Sequence, residues 1–233
     1  MKLSYIFCFA IFIFISYYGV GMYKKISISK SLIVRTHPFR LDDKNKSKSI
    51  LVLGDSTGVG VGADRPQDSV AGLLAEHFGS LYVENYAVSG AVVADLPSQI
   101  KQAKLQEYGL IVVQIGANDM VRFHNAHKTA ITLGASLAVL PTAKKVFVMS
   151  VGNMGTATLF PWFIRPVYTW VNGKFHAEFA GVAAAHHATY VNLYKVPAVD
   201  LFSLRPDVYL SEDGFHPSSK GYGLWFEQLL ASF

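Results

Sequence analysis

The sequence predicts an α/β fold, a parallel sheet of about five strands between two layers of helices. Two observations carry that expectation. Short apolar runs at residues 50–53, 81–86, 110–115, 146–150 and 190–193 alternate with segments whose apolar residues recur at helical spacing. Two of those runs end at once in glycine turns followed by polar residues, Gly54-Asp55-Ser56 and Gly116-Ala117-Asn118-Asp119. Right-handed crossovers between parallel strands place all such turns on one edge of the sheet. The chain has 233 residues, which suits one sizeable core and is short for two.

The first element is an exception to the alternation. Residues 3–23 (LSYIFCFAIFIFISYYGVGMY) carry no charge, and a helix of that length spans a ~30 Å hydrocarbon core. Tyr17, Tyr18 and Tyr23 stand where an interfacial aromatic belt falls. The expectation is an N-terminal membrane helix at residues 1–23, with a cleaved secretory signal as its rival, since Gly19-Val20-Gly21 offers small residues for cleavage. Cys8 is the single cysteine, so no disulfide forms within the chain.

Residues 24–48 follow as a basic linker that holds much of the formal net charge of +5. Such a segment is attracted to anionic lipid headgroups, so the membrane is an expected partner through both helix and linker. Lys24, Lys25, Lys30, Arg35 and Arg40 after the helix, against Lys2 before it, bias the C-terminal domain toward the cytoplasmic side. A cleaved signal implies a secreted or periplasmic domain instead. The basic residues are not interleaved with aromatics, and no nucleic-acid motif is present.

Residues 49–233 form the folded domain. Strand 50–53 leads into the Ser56 turn; Asp68 is the expected cap of a helix at 70–78; strand 81–86 ends in the small-residue turn Ala87-Val88-Ser89-Gly90-Ala91. Helices are expected at 96–106, 129–140, 170–187 and 218–230, with the remaining strands between them. Before the last helix comes Asp213-Gly214-Phe215-His216-Pro217, whose proline suits a first helical turn.

A serine hydroxyl becomes a nucleophile only with a base in hydrogen-bond reach and a group that orients the base. Asp213 and His216 offer that pair to Ser56. Attack on a carbonyl also needs donors for the developing oxyanion, and three consecutive strand ends supply them: the N–H groups of Ser56 and Gly90 and the side-chain amide of Asn118. Taken singly, Gly90 is a turn glycine, Asn118 an Asx turn and Asp213-His216 a surface turn. Asp55 and Asp119 follow glycine turns and are expected to hold them through backbone hydrogen bonds.

In that order, LVLGDST, AVSG, GAND and DGFHP resemble the four sequence blocks of the SGNH hydrolases, the GDSL esterases and lipases. The resemblance covers residues 50–230. It implies a flavodoxin-like three-layer fold and hydrolysis of a carboxylic ester through an acyl-enzyme. It also implies Ser56 as nucleophile, His216 as base, Asp213 as orienting acid, and an oxyanion hole of Ser56, Gly90 and Asn118. No cofactor or metal is implied. Thr57 stands where many members carry leucine or isoleucine, which implies a different rim. Family substrates include lipid, lysophospholipid and other acyl esters. A deacetylase or acyl transferase acting on acetylated sugars stays open as the alternative, as does an inactive membrane-tethered binding protein, although Ser, Asp and His are intact.

Residues 160–168 are rich in aromatics; Trp162, Phe163 and Ile164 are the expected rim for an acyl chain, with packing beneath the next helix as the other reading. A dinucleotide fingerprint fails, because the glycines from Gly58 to Gly62 are spaced Gly-x-Gly-x-Gly, and Glu84 is left as its only acidic helper. His124, His127, His176, His186 and His187 do not form a ligand pair on one helical face.

Overall fold

The computed structural model describes residues 2–43, 48–80 and 82–233. Residues 44–47 of the expected linker, Leu81 at the start of the second strand and the side chain of Cys8 lie outside what is described. The helix α1 (Lys2–Arg35) runs far beyond residue 23. Residues 24–35 are therefore helix and not a linker, and the sequence shows why. Ile28 and Leu32, one turn apart, face the domain and pack on Val59, Val61 and Ala87. The Thr36 hydroxyl donates to the Leu32 carbonyl at the helix end, and Pro38 follows. The strand β1 (Leu41–Asp42) then pairs antiparallel with a later strand. Among the described residues no helix is long and apolar enough to cross a membrane, so the fold lends no support to a spanning helix at residues 3–23.

The domain proper begins with β2 (Ser49–Gly54), buried along its whole length, and α2 (Ser56–Val59). Then come α3 (Val70–Phe78), β3 (Tyr82–Asn85), α4 (Leu96–Ile100) and β4 (Glu107–Gln114). Next are α5 (Ala117–Val121), α6 (Ala126–Leu137), β5 (Thr142–Met149), α7 (Arg165–Ala185) and β6 (Thr189–Val191). The short α8 (Leu201–Leu204) and α9 (Pro206–Tyr209) precede α10 (Ser219–Leu230). Ser69, not Asp68, caps α3 by accepting from the Gly72 N–H, while Asp68 pairs with Arg65.

The sheet has six strands in the order β1-β3-β2-β4-β5-β6, all parallel except β1. From β2 the chain crosses to β3 in one direction; from β4 through β6 it moves in the other. Right-handed crossovers then put α3 on one face and α4, α6 and α7 on the opposite face. The packing agrees: α10 lies on α3, and α6 contacts both α4 and α7. The change of direction opens a crevice at the carboxyl ends of β2 and β4, the place where open α/β sheets bind ligands. Ser56 and Asn118 begin the loops at that crevice.

Candidate active site

The Ser56 turn is fixed from beneath. Gly54 has φ +145°, and a Cβ on it would stand 1.9 Å from the Gln114 carbonyl oxygen, so only glycine lets β2 end against β4 here. The Gln99 amide holds the same residue from both sides, accepting from the Gly54 N–H at 2.7 Å and donating to its carbonyl at 2.8 Å. Asp55 is fully buried and accepts from the N–H and hydroxyl of Thr57 and, at 3.3 Å, from the Ala117 N–H. It thus caps α2 and ties that helix to the Asn118 loop, as the sequence leads one to expect. Burial pushes the Asp55 carboxyl above its ordinary pKa, against the pull of those donors and of His216. Thr57 is buried with its hydroxyl on Asp55, and it also lines a small pocket beside His216 with Val151, Met154 and Phe215.

Ser56, Asp213 and His216 meet although the serine lies 160 residues from the histidine. His216 Nε2 is 2.9 Å from Ser56 Oγ, and His216 Nδ1 is 2.6 Å from Asp213 Oδ2. All three are buried. The loop that carries the pair is closed on itself: Leu210 and Pro217 form a β-bridge, and the Ser211 N–H donates to the His216 carbonyl. Asp213 Oδ1 accepts from the Ser211 hydroxyl and the N–H groups of Phe215 and His216. Burial alone would raise this carboxyl, but the His216 hydrogen bond and charge, with the Phe215 N–H and Ser211 hydroxyl, hold it well below the usual carboxylate range.

The three expected donors lie on loops at the same edge of the sheet. Ser56 is the first residue of α2, where an N–H has no intrahelical acceptor. Gly90 has φ +86°, and among the described residues its N–H makes no hydrogen bond. Asn118 Nδ2 gives one hydrogen to the Ala91 carbonyl at 3.0 Å, which orients the amide and leaves the second hydrogen over. Asp119 accepts from the Val93 N–H and faces His124, clamping the third loop to the second. Among the described residues no three His, Cys, Asp or Glu side chains gather as metal ligands. Glu84 is taken up inside the sheet by the hydroxyls of Tyr82 and Tyr108.

The model of the GDSL-like lipase/acylhydrolase family matches residues 52–224. The chain belongs to that family. Solved structures agree on the fold of this GDSL-like protein. A lipolytic protein of the G-D-S-L family from Veillonella parvula superposes with a TM-score of 0.62 at 17% identity, covering 80% of this chain and 98% of the other. An acetyl-xylooligosaccharide esterase from Geobacillus gives 0.58 at 19%, covering 81% and 94%. A phospholipase A1 from Streptomyces albidoflavus gives 0.55 at 17%, covering 80% and 99%. At such identities the likeness is one of fold. A search of curated proteins gives no match.

The three rim residues fare differently from one another. Trp162 is 65% exposed and lines a concavity shared with α1. Phe163 packs against Phe14 and Tyr18 of α1 with ring centroids 5.6 and 5.5 Å away, and Ile164 packs onto the core. Sequence reasoning missed the helix side of this arrangement. Lys25 donates to the carbonyl and hydroxyl of Thr158 at 2.6 and 2.8 Å, Arg35 pairs with Glu212, and Arg40 donates twice to the Asn85 carbonyl. It also missed Gly62, where a Cβ would stand 2.3 Å from the Pro217 carbonyl oxygen and 3.0 Å from His216 Cβ. The only signal for Gly62 was its place in the glycine run after Ser56.

Proposed function

We propose that the protein is a serine hydrolase of carboxylic esters in which Ser56, His216 and Asp213 form the triad. The observation that carries this is the unbroken chain Ser56 Oγ to His216 Nε2 and His216 Nδ1 to Asp213 Oδ2, at 2.9 and 2.6 Å. His216 takes the serine proton as Oγ bonds to the carbonyl carbon. Asp213, ionised across the neutral range, keeps the imidazole proton on Nδ1 and stabilises the imidazolium. The oxyanion is received by the N–H groups of Ser56 and Gly90 and the spare hydrogen of Asn118. The tetrahedral adduct collapses, the alcohol leaves with the proton from His216, and water activated by the same base cleaves the acyl-enzyme. The test is labelling of the full chain by a fluorophosphonate, expected for wild type and absent for Ser56→Ala; undiminished labelling of that variant would sink the assignment.

The proposal extends to lipid-like esters and to membrane association. Two facts support it: Trp162 stands exposed beside α1, and Phe9, Phe12, Ile15, Tyr17 and Val20 of that helix are each more than half exposed. Large apolar surfaces of this kind call for an apolar cover, and a bilayer supplies one. Retention of the full chain in the pellet through carbonate extraction is the expected result; recovery in the supernatant removes the membrane reading and leaves the esterase reading standing.

A further inference from the structure

The triad leaves unused a concavity of about 750 Å3 between α1 and residues 158–165. Its walls are apolar, with Phe12, Tyr17 and Val20 on the helix and Phe160 and Trp162 opposite. Three cations line it too: Lys24 is exposed, while Lys25 and Arg165 are half-buried. Lys25 Nζ is held by the neutral oxygens of Thr158, and Arg165 Nε donates to the Phe160 carbonyl at 2.9 Å. Among the described residues neither cation pairs with a carboxylate. Burial first and Arg165 second lower the Lys25 pKa, against the pull of Asp213. Two like charges held partly out of water, neither in an ion pair, make a site for an anion, and guanidinium with ammonium suits phosphate or carboxylate.

The place of this pair ties it to the chemistry. A Cβ on Gly214 would stand 2.8 Å from Lys25 Nζ, and Gly214 separates Asp213 from Phe215 and His216. Lys25 therefore borders the loop that holds the base, with Arg165 on the other side of residues 158–160 through the Phe160 carbonyl. From Lys25 back to Phe12 the helix rises ~20 Å, giving an apolar wall for a hydrocarbon chain. We propose that the groove binds the ester substrate as a single-chain anionic amphiphile, with its hydrocarbon along α1 and a phosphate or carboxylate between Lys25 and Arg165. This rests on the esterase reading above and makes the N-terminal helix part of the substrate site.

The test compares esters that differ in charge alone, on the full chain in a neutral detergent. The probes are the octanoyl ester of 4-hydroxybenzoate, which is anionic, and that of methyl 4-hydroxybenzoate, which is neutral. Wild type should favour the anionic ester in kcat/KM, and Lys25→Met should cut the ratio of anionic to neutral about tenfold, mainly through KM. Lys25→Arg should keep the preference, and Lys25→Glu should turn it toward the octanoyl ester of 4-hydroxyphenyltrimethylammonium. If Lys25→Met does not fold, raising the salt on wild type should erode the same ratio. Lysophosphatidylglycerol hydrolysed faster than lysophosphatidylcholine identifies a lipid headgroup as the anion; a preference confined to the benzoate esters identifies a soluble one. Equal kcat/KM on the charged and neutral esters in wild type, or a ratio that neither charge variant moves, overturns the anion site while leaving the esterase intact. Wild type that hydrolyses none of the esters removes both.

Discussion

The loop at residues 211–217 and the helix that lies beside it are held by opposite means. In the loop, Asp213 and His216 are buried, every acceptor of Asp213 is engaged, and a β-bridge closes the turn. In α1 the docking rests on one apolar turn around Leu32, two half-exposed polar anchors and the Phe163 ring against Phe14 and Tyr18. The first arrangement fixes individual atoms; the second fixes where a surface lies. Chemistry needs the former, and recognition of a chain-like molecule tolerates the latter.

Variants can break this contrast from either side. The largest effects belong to the loop: Ser56→Ala and His216→Ala should each lower kcat on a p-nitrophenyl ester by on the order of 10³ or more, measured beside wild type. Asn118→Ala should cost about 10² in kcat with KM nearly unchanged, as expected of the proposed donor to the oxyanion. A KM effect alone would make Asn118 a residue that holds the substrate. Changes in α1 should instead appear in stability. Leu32→Ala should cost about 2–5 kcal/mol in urea unfolding, because Leu32 is 4% exposed and fills the gap over Val59, Val61 and Ala87.

Acid sharpens the contrast further. The Asp213 pKa is lower in the folded chain than in the unfolded one, so its stabilisation is complete above about pH 4 and is lost as pH falls through the folded value. The stability difference between wild type and Asp213→Asn should therefore shrink below about pH 4, read from urea midpoints across an acid series. Asp55, raised by burial, works in the opposite sense and loses stability as pH rises between its unfolded and folded values. Smallest of all is Arg35→Ala. Its ion pair with Glu212 is more than half exposed, and its removal should cost less than about 1 kcal/mol.

Most of the site was legible because its signals are local. Gly54-Asp55-Ser56 and Asp213-Gly214-Phe215-His216 each fold within a few residues, and strand periodicity told which edge both occupy. Helix ends were read less well: α4 stops at Ile100, where helix was expected to residue 106, and α7 starts at Arg165, ahead of the expected 170. Pro166, in the first turn of α7, marked that start. The docking of α1 left no local trace. Lys25 reaches Thr158 across 133 residues and Arg35 reaches Glu212 across 177, and neither partner carries a pattern that names the other. A two-residue strand such as β1 is likewise too short for any periodicity to reveal.

The sheet's margins bear on how the protein behaves in a test tube. Its edge strands, β1 and β6, are its shortest, two and three residues long. So little unpaired backbone gives another chain scarcely anything to extend, and strand-by-strand aggregation has no template. The exposed apolar residues of α1 are the longest adhesive surface that remains, beside scattered ones such as Trp162, Trp170 and Val199. Clumping during purification should accordingly answer to a mild detergent that coats the helix, and charged substitutions on the edge strands should do nothing to relieve it.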